Sequence, residues 1–392
     1  MKIIHICLTG QFNENFTYQD NLLTKYHSLQ GHEVYILAPI FKLSEDGRKM
    51  DEVTPGVYDI NYNIKLIRLP HAFSNSFTKK FRIYKGLLKT LNEIKPDFLF
   101  IHGTQFLSIF TVIKFLKSYR KIKVVADSHA DFYNSGRNWL SLNILHKIIW
   151  RKCTKMIEPF CEKIYGVTPI RCKFLQEVYK VNQNKLELLP LAADDFLIKE
   201  IAENNTKSEL REKYALDKND FVLISGGKID DLKNLHLLIQ AFTEENKNLE
   251  KKVKLIYFGS FSENISPAVK KIISENTDNK TVINAGWLNS KEINELFFCS
   301  DLAVFPGTHS VLWEQAIANK IPCLFNGIEG MQHVNVNENC VIFNGNNIQE
   351  IKYWLRTIIL DKKKYFNLLK NTILAADLFS YSKQAKKVIN DE

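Results

Sequence analysis

Residues 304–325 read VFPGTHSVLWEQAIANKIPCLF. The apolar run 303–305 predicts a buried strand, and Pro306 and Gly307 end it. Thr308 to Ser310 form a tight polar turn, and the spacing that follows predicts an amphipathic helix over 311–319. A second apolar segment occupies 321–325. A strand that runs through a polar turn into a helix leaves free backbone N–H groups at the positive end of the helix dipole, which suits a phosphate. The amides of Ser310, Val311 and Leu312 are the candidates. Glu314, one turn in, can reach back toward a sugar hydroxyl.

Residues 221–235, FVLISGGKIDDLKNL, point the same way. The strand 221–225 ends in Gly226-Gly227, then Lys228, and Lys233 stands five residues later at the start of another helix. Glycine lets backbone approach a ligand closely, and two lysines supply charge for a diphosphate. A lysine is unfavourable near a helix N-terminus unless an anion sits there. Lys228 and Lys233 are therefore candidates for stabilising a departing nucleoside diphosphate. Neither stretch is a GxxxxGK[ST] loop, and no GxGxxG occurs.

Outward from these stretches, short apolar strands alternate with amphipathic helices. In the first half strands are expected at 2–8, 33–38, 64–69, 98–101, 123–126, 163–167 and 186–189, and helices at 18–30, 78–93, 107–119, 139–156 and 169–179. Residues 192–212 lose the strand pattern and become charged, so an interdomain linker is expected near 194–207. The rhythm restarts with strands at 221–225, 253–258, 281–284, 302–305, 321–325 and 340–343. This is an α/β pattern with parallel sheets covered on both faces. The expected division is 1–195, 196–375, and a C-terminal helix within 376–392 that crosses back to the first domain. Two Rossmann-like domains would face each other across a central cleft at the carboxyl ends of their sheets.

The chain has 392 residues, 45% of them apolar, and a formal net charge of +10. That is ordinary for a globular protein of more than one domain, and the positive balance favours anionic partners. No zinc spacing, aromatic RNA-binding pair or helix-turn-helix signature occurs, which sets nucleic acid aside. The seven cysteines include no CxxC and several lie in apolar runs, as expected of reduced, buried thiols in a cytoplasmic protein. The N-terminus MKIIHICLTG is a first buried strand rather than a signal peptide, and no run of 18 apolar residues predicts a membrane span.

His129 follows a strand in ADSHADFYNS, residues 126–135, with Asp127 and Asp131 beside it. A histidine flanked by carboxylates at the end of a parallel strand is a candidate catalytic residue near an acceptor or reacting carbon. Asp127 is its partner or a cap of the next turn. His102, in FIHGTQF, is structural or acceptor-lining. Gly10, in the loop after the first strand, is a simple βα turn or a point of ligand approach. No DxD or EF-hand pattern appears, so metal and cofactor are not expected. Basic residues interleave with apolar ones over 77–93 and again over 139–155. Each is either a core-facing helix with a solvated basic side or a helix for peripheral contact with an anionic membrane.

These residues together resemble family 4 of the retaining glycosyltransferases with the GT-B fold, over essentially the whole chain. GGKIDDLKNL is similar to the family's G-[GS]-[RK]-x5-K element. LIYFGSF and NAGWLNSKEINELFFCSDLAVFP, the latter containing Leu288, resemble the strand series before the donor site. HSVLWEQAIANKIPCLF resembles the segment with Glu-Ala or Glu-Gln and a later Pro. GVTPIRCKFL, LLPLAADD and ADSHADFYNS match the N-terminal positions more loosely. The resemblance implies a donor site built from Gly10, Gly227, Lys228, Lys233, Leu288, His309, Ser310, Val311, Leu312 and Glu314, with Glu314 on ribose. One departure is clear. Where the family has Glu-x7-Glu, Pro306 stands eight residues before Glu314. His309 takes part of the missing glutamate's role, or backbone groups read the sugar hydroxyls.

The expected function is metal-independent, hexosyltransferase-type transfer of a sugar from a nucleotide-sugar donor to a glycan or lipid-linked glycan acceptor. The resemblance implies bacterial surface polysaccharide synthesis, in the cytoplasm or at the inner face of the membrane. The alternatives are a GT-B nucleotide-sugar epimerase and a catalytically silent GT-B partner subunit.

Overall fold

The computed structural model describes residues 1–390 apart from 15, 44–48, 137 and 250. The chain divides into two compact units. One is Met1–Pro190 together with the segment from Gln384, and the other is Leu191–Lys383.

The first unit is built on an eight-stranded sheet. In spatial order its strands are Leu186–Leu188, Lys163–Gly166, Lys123–Ser128, Phe98–His102, Lys2–Ile6, Glu33–Pro39, Ile64–Leu69 and Gly56–Ile60. All neighbours are parallel except the last pair. The inner strands read as apolar runs because helices cover both of their faces. Phe98–His102 is buried along its whole length. The antiparallel edge strand Gly56–Ile60 was not foreseen. Its turn, Asn61–Asn63, places Tyr62 and Asn63 in the left-handed region, where asparagine is tolerated better than most residues.

The second unit has a six-stranded parallel sheet in the order Val282–Asn284, Val253–Phe258, Phe221–Gly226, Leu302–Phe305, Cys323–Asn326 and Cys340–Phe343. Each sheet is doubly wound. The strand order reverses beside Lys2–Ile6 in the first and beside Phe221–Gly226 in the second. Such reversal points open a crevice at the carboxyl ends of the strands.

Three expectations change. The helix expected over 78–93 is two helices, Ser76–Phe81 and Leu87–Ile94. Arg82 and Gly86 between them are left-handed, and the intervening Tyr84 is buried with its hydroxyl donating to the Leu8 carbonyl at 3.0 Å. Burial of that ring outweighs local helix propensity. The helix expected over 139–156 is a wide-turned segment, Ser141–Trp150, that continues as Arg151–Ile157. The charged stretch expected as a linker forms the helices Asp195–Asn204 and Lys207–Lys213. Asp194 caps the first, and Thr206 with Glu209 closes a capping box on the second, so its polar residues mark helix starts.

The chain returns to the first unit inside the helix Tyr381–Asn390, and positions 391 and 392 of the expected crossing segment lie outside the described residues. Residues 376–383 group with the second unit. Among the described residues no helix is long and apolar enough to cross a membrane. All seven cysteines are free thiols, and all but Cys172 are buried.

Candidate active site

In the second unit the crevice at the strand reversal lies between two loops. One follows Phe221–Gly226 and the other follows Leu302–Phe305. Their backbones touch, which only glycine permits. A Cβ on Gly307 would stand 2.3 Å from the backbone of Lys233. The loop after Val253–Phe258 comes as close, since a Cβ on Gly259 would stand 1.8 Å from the Gly227 carbonyl. Gly227 itself has φ +111°, a conformation that side-chain-bearing residues rarely adopt. Gly226, Gly227, Lys228, Lys233, Gly307 and Thr308 all line the small pocket left between the loops.

Lys233 ends the short turn Asp231–Lys233, which Asp230 caps. Its ammonium donates to the Thr308 carbonyl at 2.6 Å and the His309 carbonyl at 3.2 Å. Burial lowers its pKa to about 8 against the opposing pull of Asp230. Lys228 is exposed at the pocket rim. Asn234 carries no role in the sequence reading, yet it staples the loops. Its amide donates to the carbonyls of Pro306 and Gly345, each at 3.1 Å, and to Asn346 Oδ1 at 2.9 Å. The signal available was its place after Lys233, where it takes a left-handed conformation that asparagine tolerates.

The helix after the second loop is shorter than expected, Leu312–Ala318, with Val311 at its N-cap. Leu312 and Glu314 are buried. The hydroxyl of Ser310 is buried with no hydrogen-bond partner among the described residues. Leu288 is half-buried one residue before the cap of the helix Ser290–Cys299.

Glu314 is wholly enclosed, clasped by His309 Nε2 at 2.9 and 3.1 Å and by His333 Nε2 at 3.0 Å. Burial raises its pKa, but the two imidazoles outweigh burial and bring it to about 2. His333 was missed by the sequence reading, since it lies in a loop turn, Gln332–Val334, with no motif around it. The three side chains offer ligand atoms within 4.8 Å of one another. A metal on His333 Nε2 would require Nδ1–H, and metal-bound histidines pass that proton to an acceptor. Nδ1 of His333 is buried with no partner among the described residues, which fits an imidazole donating through Nε2–H to the carboxylate better than a metal ligand.

In the first unit the crevice at the strand reversal gathers the other candidates. His102 ends its strand and pairs in register with Asp127, one residue before the end of the neighbouring strand. His102 Nδ1 lies 3.0 Å from Asp127 Oδ2, and Asp127 Oδ1 accepts the Gly103 N–H at 2.9 Å. His129 Nε2 stands 3.6 Å from Asp127 Oδ2 with its side chain 46% exposed. Burial opposes ionisation of Asp127, yet His102 and His129 hold its pKa well below the usual carboxylate range. Asp131 turns away to cap its own loop and pair with Arg171. Gly10 is exposed with open space around it. Thr9 beside it anchors the loop by donating to the His102 carbonyl at 2.9 Å.

Residues 17–195 match the family model described as Glycosyltransferase Family 4, and residues 206–374 match the one described as Glycosyl transferases group 1. In sequence and fold the chain matches the GT-B glycosyltransferases. Two Rossmann-like units are the architecture of that fold. Among solved structures, a glycosyltransferase from Rickettsia africae superposes with a TM-score of 0.70 at 14% identity, over 100% of this chain and 99% of that one. Anabaena HepE in complex with UDP and glucose gives 0.68 at 14% identity, covering 100% and 99%. UDP-GlcNAc 2-epimerase from Neisseria meningitidis gives 0.64 at 13% identity, covering 99% and 98%. No curated protein matches the sequence.

Proposed function

We propose that this GT-B chain is a retaining glycosyltransferase whose second unit binds a nucleotide-sugar donor and whose first unit receives a glycan or lipid-linked glycan acceptor. The observation that carries the donor assignment is Lys233 in a pocket walled by Gly227 and Gly307 at the strand reversal. Its ammonium is partly desolvated, so a diphosphate there gains more from the charge than it would from a lysine in water. Lys228 adds a second cation at the rim, and the unpartnered Ser310 hydroxyl is free to bond the ligand.

The enclosure of Glu314 alters the part it plays. A carboxylate with no exposed surface holds His309 in place, and His309 stands in for the glutamate that Pro306 replaces. His129, steadied by Asp127, is the residue facing the acceptor. UDP-sugars are the first donors to test, because Anabaena HepE was solved with UDP and glucose. Surface polysaccharide synthesis is the proposed setting. Peripheral membrane contact is assigned to the helical segment beginning at Ser141. Trp139 and Leu140 before it are 69% and 67% exposed, Ile148 on it is 57% exposed, and Lys152 is an exposed cation nearby.

The deciding experiment is calorimetry of UDP, GDP, CDP, ADP and dTDP on wild type and Lys233→Ala, with and without magnesium. Binding of one nucleotide without magnesium, lost in the variant, supports the assignment. Binding of none overturns it and favours a silent partner subunit. Conversion of a UDP-sugar to its epimer with no acceptor present would establish the epimerase instead.

A further inference from the structure

Asp127 is one end of a longer chain of contacts that the proposed transfer does not use. His102 Nε2 lies 2.9 Å from His5 Nδ1. His5 Nε2 lies 2.9 Å from His27 Nδ1. His27 Nε2 lies 3.0 Å from the carbonyl oxygen of Ala385, on the helix that returns to this unit. His5, His27 and Asp127 have no exposed surface, and His102 is 5% exposed. The parallel strands supply His5, His102 and Asp127, and the helix Gln19–Leu29 supplies His27.

The protons in this chain can be counted. A carbonyl only accepts, so His27 Nε2 carries a proton. If His27 is neutral, its Nδ1 accepts and His5 Nε2 carries the next proton. If His5 is neutral, its Nδ1 accepts and His102 Nε2 carries the third. His102 Nδ1 then faces a carboxylate oxygen that also only accepts. Contacts among three imidazoles, one carbonyl and one carboxylate therefore require one proton more than three neutral imidazoles hold.

We propose that His27, His5, His102 and Asp127 form one buried relay that retains this extra proton on His102, keeps Asp127 a carboxylate, and thereby turns the Nε2–H of His129 toward Asp127. The consequence for His129 rests on the transferase role proposed above; the proton count does not. His5, His27 and His102 are positioning residues, since none of them faces a substrate. Across the 3.6 Å charge contact, the carboxylate favours the His129 tautomer with its proton on Nε2, which leaves Nδ1 as the acceptor. Burial holds His5 well below its ordinary pKa and brings His27 to about 3, which agrees with both being neutral links. The other titratable groups facing the relay are Asp20 and Cys7 near Asp127, and His32 near His27. Burial favours the protonated forms of Asp20 and Cys7 and the neutral form of His32.

The test is nitrogen-15 NMR of the imidazole rings in the full chain at pH 7.5, with signals assigned by single substitutions. The expected wild-type spectrum has His102 protonated on both nitrogens and His5 and His27 as neutral Nε2–H forms. His27→Leu removes the last acceptor, so two neutral imidazoles satisfy the remaining contacts and His102 becomes a neutral Nδ1–H form. His27→Gln keeps a donor toward Ala385 and an acceptor toward His5, so the extra proton stays. In kcat against pH, the acid limb should move up by about one unit in His27→Leu and stay in place in His27→Gln, with donor KM unchanged in both. Three neutral imidazoles in wild type, or the same His102 form in both variants, overturn the relay. Should His27→Leu fail to fold, the wild-type spectrum alone decides. The expected spectra with an unmoved acid limb overturn the link to His129, whereas absence of nucleotide binding overturns the transferase role and leaves the relay standing.

Discussion

Lys233 titrates near pH 8, below the 10.5 of an ordinary lysine, so pH acts on it in two opposed ways. Nucleotide affinity should fall as pH rises from 7 to 9, because the ammonium loses its proton. Calorimetry at several pH values checks this, and Lys233→Ala should be weak and flat throughout. Stability of the ligand-free protein moves the other way. Between about pH 8 and 10.5 the folded state binds fewer protons than the unfolded chain, so this group makes stability rise with pH. Glu314 has the same sign on the acid side, since its pKa is also lowered in the folded state. Its folded pKa of about 2 lies below the ordinary 4.5, so its contribution is complete above pH 4.5 and is lost as pH falls toward 2. Urea midpoints between pH 5 and 2.5 should fall more steeply in wild type than in Glu314→Gln. The sequence marked both residues as ligand contacts. It did not show that Glu314 is enclosed, because His333 comes from another loop, after the following strand.

At the scale of elements, the two loops of the crevice proposed for the donor are held by close backbone approach and by Asn234. Gly307→Ala should be strongly damaging, since its Cβ would meet the Lys233 backbone at 2.3 Å and neither chain can give way cheaply. Gly227→Ala combines φ +111° with a 3.2 Å approach to Leu312. It should cost about 1–3 kcal/mol of stability by thermal or urea denaturation. Asn234→Ala leaves buried carbonyls of Pro306 and Gly345 without their donor, at about 1–3 kcal/mol, and should weaken nucleotide binding by loosening the loop. The strand-turn-helix pattern of this region was legible because its period changes sharply at Pro306 and Gly307. The split of the expected 78–93 helix was not, because burial of Tyr84 depends on a carbonyl some seventy-six residues earlier in the chain.

Across the whole molecule, the returning helix matters most. Its last part gives the first unit the Ala385 carbonyl for His27, the Ile389 carbonyl for Lys123, and Lys387 for Glu187. A chain ending at residue 383 should lose stability in the first unit while nucleotide binding in the second survives. Differential scanning calorimetry with and without nucleotide checks this. One transition should move to lower temperature, and the ligand-responsive transition should stay in place.

Alternating apolar runs were enough to specify two largely parallel α/β sheets, and Gly226-Gly227 with two lysines and the Pro306–Glu314 segment marked the loops that meet at one sheet edge. Those features are local: strand period, turn chemistry and charge act over a few residues. Tertiary structure alone decided that Glu314 is clasped by two imidazoles and that Asn234 joins two loops. It alone decided that His5, His27, His102 and Asp127 touch in a line ending on Ala385. Their partners are brought together by sheet order and by a helix that returns from the end of the chain. Proton positions in such a chain follow from which atoms face each other, and nothing local in the sequence records that.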